Sequence, residues 1–116
     1  MARILIIVTS ASSLHGRGRE GLSTARTMHE NGMAKPVAVL LVGEGVRCLT
    51  AGGGCREDVH VEMRSLLEAG VSISACSRSV EEHSLEHEVD ARAIEKVDAA
   101  DFLAAKAGAN YAILTF

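Results

Sequence analysis

Residues 4–8 read ILIIV and residues 37–42 read VAVLLV. Both are unbroken apolar runs rich in β-branched side chains, and continuity rather than alternation marks strands covered on both faces. Val71 to Ala75 and Tyr111 to Leu114 repeat the signal more weakly. The segments between them have helical spacing: Leu22, Ala25 and Met28 in the first, then Val59, Met63, Leu66 and Leu67 at i, i+4, i+7 and i+8. A third helix is expected to carry Phe102, Leu103 and Ala107. Each of the three is followed by a glycine, Gly32, Gly70 or Gly108, where a left-handed C-terminal cap favours a residue without Cβ. Asp98, with Asp101 three residues on, marks the start of the last helix, because a short carboxylate there accepts from free backbone amides. Strands and helices in alternation predict a parallel sheet with helices on both faces, joined by right-handed crossovers. Residues 76–97 are less regular: SVEEHSLEHEV reads as a short helix and Ala93 to Val97 as a fourth strand.

A chain of 116 residues that is 47% apolar and 23% charged has the composition of one globular domain, which excludes disorder and fibrous repeats. Only 3% of residues are aromatic and the net charge is −3, so neither a base-stacking platform nor an attraction to nucleic acid is expected. No apolar run approaches the ~20 residues of a bilayer span, and the opening ARILIIV lacks a small-residue cleavage site, so a soluble, cytoplasmic protein is expected. The three cysteines, at 48, 55 and 76, match no disulfide framework and leave at least one thiol free in a reducing compartment. A mean hydropathy of +0.17, with many Ala and Val residues, is high for a small monomer and predicts surface buried between subunits of a homo-oligomer.

In open α/β sheets function collects beyond the carboxyl ends of the strands. Three loops qualify: Ser10 to Glu20, Gly43 to Cys55, and the one that begins at Cys76. Cys76 is the sharpest candidate, since it ends a buried strand. Ser79 and Glu82 form a capping box that predicts a helix from Val80, and a helix start together with Arg78 would favour negative charge on a nearby sulfur. The plainer reading is a small buried hydrophobe. Cys48 and Cys55, separated by six residues, have neither a zinc nor a redox spacing and read as structural. His83 and His87 would share a helix face, with Glu82, Glu86 and Glu88 nearby, but two histidines fall short of a zinc ligand set and a solvated face explains them with fewer assumptions. Gly16, Gly18 and Gly21 spell G-x-G-x-x-G, and Glu44 stands where a ribose-binding acid would be sought. The residues from Thr9 to His15 intervene before the first glycine, however, too many for the tight turn of a dinucleotide site. A weaker version has Arg17, Arg19 and backbone amides holding a small anion at the helix start.

Taken together, RILIIVTS, the second strand running into GEGV at Gly43 to Val46, GVSISACSRSVEEHSL at Gly70 to Leu85, and the ending DFLAAKAGANYAILTF resemble the DsrE/DsrF-like family along nearly the whole chain. The resemblance implies a three-layer α/β/α sandwich around a mostly parallel five-stranded sheet, in a single domain over residues 1–116, assembled into trimers, hexamers or mixed complexes. It also aligns Cys76 with the cysteine that sulfur-relay members load as a persulfide and unload to a partner. The expected function is therefore a sulfur carrier, or sulfurtransferase, working through Cys76 between donor and acceptor proteins, with no cofactor and no metal. Ser77, Arg78 and Ser79, together with Ser10, Arg17, Arg19, Gly43, Glu44 and Gly45, are expected as supporting or binding residues from proximity. The alternative is a non-catalytic module that binds a small ligand or anion in the same crevice, with Cys76 as packing. A metal-dependent activity at His83 and His87 is the third possibility.

Overall fold

The computed structural model describes residues 2–11, 17–50, 57–88 and 94–116. Among these, five strands form one parallel sheet: β1 (Ala2–Val8), β2 (Ala34–Leu41), β3 (Ser72–Cys76), β4 (Glu95–Val97) and β5 (Ala112–Thr115). Their order across the sheet is β4-β3-β2-β1-β5, so the apolar runs of β1 and β2 lie inside and the short β4 and β5 form the edges. Register pairs Ile4 with Val37 and Val8 with Leu41, Leu41 with Ala75 through the β2–β3 pair, and Cys76 with Val97. The C-terminus extends β5 along β1: the Phe116 amide donates to the Ile7 carbonyl at 2.8 Å, and the Phe116 carbonyl accepts from the Thr9 amide and hydroxyl.

The two faces of the sheet are unequally covered. Ile6 and Val8, Val37, Val39 and Leu41, and Ile73 and Ala75 point to one face. There they pack with Leu22 and Ala25 of α1 (Arg17–Glu30), Val59, Met63 and Leu66 of α2 (Glu57–Glu68), and Val80 of α3 (Ser77–Glu82). A 3₁₀ segment, Gly43–Leu49, adds Val46, Cys48 and Leu49. The opposite face has a smaller core of Leu5, Ile7, Ala38 and Leu40, covered by Phe102 and Leu103 of α4 (Ala99–Gly108) with Val97 and Tyr111. No residue of α4 is buried, and all four residues of β5 are exposed. The Lys106 ammonium lies 4.5 Å from the Tyr111 ring centroid and 5.1 Å from that of Phe102, so its charge sits over the aromatic lid of this thinner layer. Across the thicker layer Arg26 bonds Glu30 of its own helix at 3.0 Å and Glu62 of α2 at 3.3 Å, and these carboxylates, Glu30 first, raise its pKa above the ordinary arginine value. None of the helices described is long and apolar enough to cross a membrane.

Helix ends follow one rule, with two departures from expectation. After α1 and α2 the chain turns through Gly32 and Gly70, at φ +64° and +85°, and the next amide bonds back five residues: Met33 to the Met28 carbonyl, Val71 to that of Leu66. The same closure ends α4, but Gly108 stays helical and Asn110, at φ +63°, takes the left-handed position, with Tyr111 bonding the Lys106 carbonyl. Asparagine tolerates that conformation because its short amide can satisfy nearby backbone groups. Ser84, at φ +55°, ends α3 in the same way, which places His83 at the C-cap. The short helix therefore stops before His87, and the two histidines do not share the helix face that their spacing predicts. Asp98 caps α4 as expected, its Oδ1 accepting from the Asp101 amide at 3.0 Å.

Candidate functional site

Cys76 is the last residue of β3 and the N-cap of α3, at φ −63° and ψ 119°. The helix starts three residues before the Val80 that the capping box predicts. Ser79 lies inside the helix, is buried, and uses its hydroxyl oxygen to accept the Gly43 amide at 2.9 Å. Its cap-like chemistry is thus spent across the fold, tying α3 to the turn that follows β2, rather than on its own helix.

The Cys76 side chain is 8% exposed and lines a cleft of about 290 Å³ together with Ser77, Arg78, Asp98, Ala99 and Ala100. The wall opposite α3 comes from β4 and α4. Because Cys76 pairs with Val97, the next residue, Asp98, stands at the level of Ser77, and the first turn of α4 rises beside the sulfur. A carboxylate and a guanidinium therefore share a small cleft with a thiol. Sequence reasoning identified Asp98 as a helix cap but not as a neighbour of Cys76. The signal lay in the pairing of β4 with β3, which a three-residue strand does not announce.

The other expected residues fall along the same edge but outside this cleft. Gly43 meets Ser79, and Gly45 packs so closely on the Val8 carbonyl that a Cβ there would overlap the oxygen. Ser10 follows β1, and its carbonyl occupies the space a Cβ on Gly18 would need. Gly21 lies against the Phe116 ring. Gly18 and Gly21, two of the three glycines in the G-x-G-x-x-G pattern, thus allow α1 to approach the end of β1 and the C-terminus closely; Gly16 lies outside the described residues. Arg19 reaches Asp58 of α2, Nε to Oδ2 at 3.7 Å, and so links two helices. Arg17 and Glu44 are exposed. Cys48 is wholly buried in the larger core and its carbonyl lies 2.7 Å from His60 Nδ1, while Cys55 lies outside the described residues. Among the described residues no group of three or more His, Cys, Asp or Glu side chains converges as metal ligands would.

The fold and the sequence agree when compared with known proteins. Among solved structures, the YchN protein from E. coli superposes with a TM-score of 0.81 at 16% identity over 100% of both chains. A conserved protein of unknown function from Bacteroides thetaiotaomicron, BT1422, gives 0.76 at 18% identity over 97% of this chain and 93% of that one. A further protein of unknown function, MTH1491 from Methanobacterium thermoautotrophicum, gives 0.74 at 13% identity over 100% of both. No curated protein sequence matches. The family model for DsrE/DsrF-like proteins matches residues 2–116. With the five-stranded parallel sheet and its helices in the same arrangement, the chain belongs to the DsrE/DsrF-like family.

Proposed function

We propose that this protein carries sulfane sulfur on Cys76 and passes it to a partner thiol. The observation that supports this most directly is the placement of Cys76: a thiol at the carboxyl end of a strand of the sheet, lining a small cleft with Arg78 and Asp98. In loading, the Cys76 thiolate attacks the outer sulfur of a donor persulfide, R–S–SH; the S–S bond of the donor breaks, R–S⁻ leaves, and Cys76–S–SH forms. In unloading, an acceptor thiolate attacks that outer sulfur and regenerates the Cys76 thiolate. Each step exchanges one S–S bond for another, so no external oxidant is consumed. The narrow cleft would shield the persulfide from stray thiols, and Arg78 offers a cation to the sulfur anion present before and after each transfer.

Loading from a sulfane-sulfur donor followed by intact-mass measurement tests the reading. The expected product is the protein plus one sulfur atom, abolished by Cys76→Ser and released by an acceptor thiol. An adduct that survives the substitution, or none with competent donors, overturns it.

The 8% exposure of Cys76 supports a second reading, in which the sulfur is packing and the cleft binds a small anion. A ligand-induced rise in Tm that persists in Cys76→Ala would favour it. We further propose that the protein is a homo-oligomer in which the exposed α4 and β5 layer, with Ile113 39% and Leu114 38% exposed, is covered by another subunit.

A further inference from the structure

Two groups of opposite charge line the Cys76 cleft and do not pair. Arg78 belongs to the α3 wall and Asp98 to the α4 wall, and both are exposed. Among the described residues neither is in an ion pair, with the other or with any third group. Across the α1–α2 contact, by contrast, cation and carboxylate do meet: Arg26 reaches Glu62 and Arg19 reaches Asp58. Asp98 Oδ1 accepts the Asp101 amide, which fixes the carboxylate at the head of α4, and no described residue bonds its other oxygen. The same cleft holds the Cys76 thiol, 8% exposed and, among the described residues, without a hydrogen-bond partner. Its volume of about 290 Å³ is at the lower edge of small-ligand pockets, roughly 300–1,000 Å³, and suits a ligand of few heavy atoms. The three groups define the chemistry of that ligand. A guanidinium calls for a carboxylate, a carboxylate for an ammonium, and a nucleophilic sulfur for another sulfur. An α-amino acid with a sulfur on its β-carbon carries all three within a few bonds. A simple anion would use Arg78 alone and be opposed by Asp98.

We propose that the cleft binds free cysteine and its hydropersulfide, with Arg78 on the α-carboxylate, Asp98 on the α-ammonium and the ligand sulfur against Cys76. The proposal rests on the reading of Cys76 as a sulfur carrier and names a small-molecule donor and acceptor for it. In loading, the Cys76 thiolate attacks the outer sulfur of cysteine hydropersulfide; the donor S–S bond breaks, the outer sulfur keeps its proton, and cysteine leaves as its thiolate. In unloading, a cysteine thiolate attacks the outer sulfur of Cys76–S–SH and departs as the hydropersulfide, which regenerates the Cys76 thiolate. Neither step consumes an oxidant or a reductant. Recognition through both charges separates cysteine from thiols that lack one of them, because an unmatched Arg78 or Asp98 loses its water without gaining a partner.

S-methyl-L-cysteine keeps both charges of the ligand and cannot exchange sulfur, so it reports occupancy alone. Its protection of Cys76 against iodoacetamide is measured on the full-length protein, from the tryptic peptide that holds Cys76 and contains no other cysteine. Two analogues each delete one charge: 2-(methylthio)ethylamine lacks the carboxylate and 3-(methylthio)propionate lacks the ammonium. The expected result is half-protection by S-methyl-L-cysteine below roughly 20 mM, and protection at least about tenfold weaker by either analogue at equal ionic strength. Arg78→Gln should bring S-methyl-L-cysteine to within about twofold of 2-(methylthio)ethylamine. Asp98→Asn, which retains a capping side chain on α4, should bring it to within about twofold of 3-(methylthio)propionate. Comparing rates with and without ligand for each variant cancels any change in the reactivity of the thiol itself. Failure to reach half-protection at that concentration, equal protection by all three compounds, or an unchanged ranking in the variants overturns the proposal. Stronger protection by 3-(methylthio)propionate than by S-methyl-L-cysteine overturns it in favour of an anion site. Charge-ranked protection of a Cys76 that never accepts sulfane sulfur would refute only the carrier reading. A Cys76 that loads but is not protected would refute only the amino-acid site.

Discussion

Replacing glycine by alanine in a helix ordinarily stabilises a protein by up to about 1 kcal/mol, because alanine has less backbone freedom to lose. In this protein the sign of that substitution should depend on position. At Gly108, the last residue of α4, nothing lies within 4 Å of the added Cβ, so the full propensity gain should survive, about 0.5 kcal/mol at a helix end. At Gly18, in the first turn of α1, the added Cβ would overlap the Ser10 carbonyl oxygen and lie 2.9 Å from its carbon. Backbone has to move, and such overpacking costs about 1–3 kcal/mol, which outweighs the propensity gain and leaves a net loss near 2 kcal/mol. At Gly21 the added Cβ would meet the Phe116 Cβ at 2.9 Å and its ring at 3.0–3.2 Å; Phe116 packs on the larger core and its backbone bonds the β1 end through both amide and carbonyl, so the clash should outweigh the propensity gain and leave a net loss of about 1 kcal/mol. With an unfolding entropy of about 2.1 cal/mol/K per residue, 2 kcal/mol corresponds to a fall in Tm of roughly 8 °C, and Gly108→Ala to a rise of roughly 2 °C. Urea unfolding of the three variants, with m-values checked for constancy, measures the series directly. A Gly18→Ala protein as stable as the wild type would show that α1 does not press on the Ser10 backbone, and would remove the packing explanation of the glycine pattern.

Three further outcomes follow from the geometry. Ser79→Ala leaves the half-buried Gly43 amide without its acceptor and should cost about 1–1.5 kcal/mol, with faster hydrogen exchange at Gly43; an unchanged Gly43 amide would refute the cross-fold bond as its protector. Asp98→Ala should lose the α4 cap and about 1 kcal/mol, while Asp98→Asn, an equally good cap, should stay within a few tenths of the wild type in urea unfolding; equal losses would mean that the cap bond contributes little. Light scattering should show an assembly larger than 12.2 kDa, reduced toward the monomer by Ile113→Glu/Leu114→Glu; a wild-type monomer would refute burial of the α4–β5 layer between subunits.

Some of this molecule is legible along the chain, because it depends on residues close in sequence. Continuous apolar runs marked β1 and β2, apolar spacing marked α1 and α2, and Gly32, Gly70 and Asp98 marked helix boundaries, since burial period and cap chemistry are local properties. Local reasoning misjudged three places where a distant partner or a less usual residue took over. Ser79 caps nothing, because the Gly43 amide, 36 positions away, claims its oxygen. Asn110 rather than Gly108 ends α4, and Ser84 ends α3 before the histidines can align. That Cys76 ends a strand was readable from its neighbours. That Asp98 shares its cleft, that Arg19 turns away to Asp58, and that among the described residues a single helix, α4, packs on the second face of the sheet were not. Those features are set by strand register and layer packing, which join residues whose separation in sequence carries no local trace of their contact.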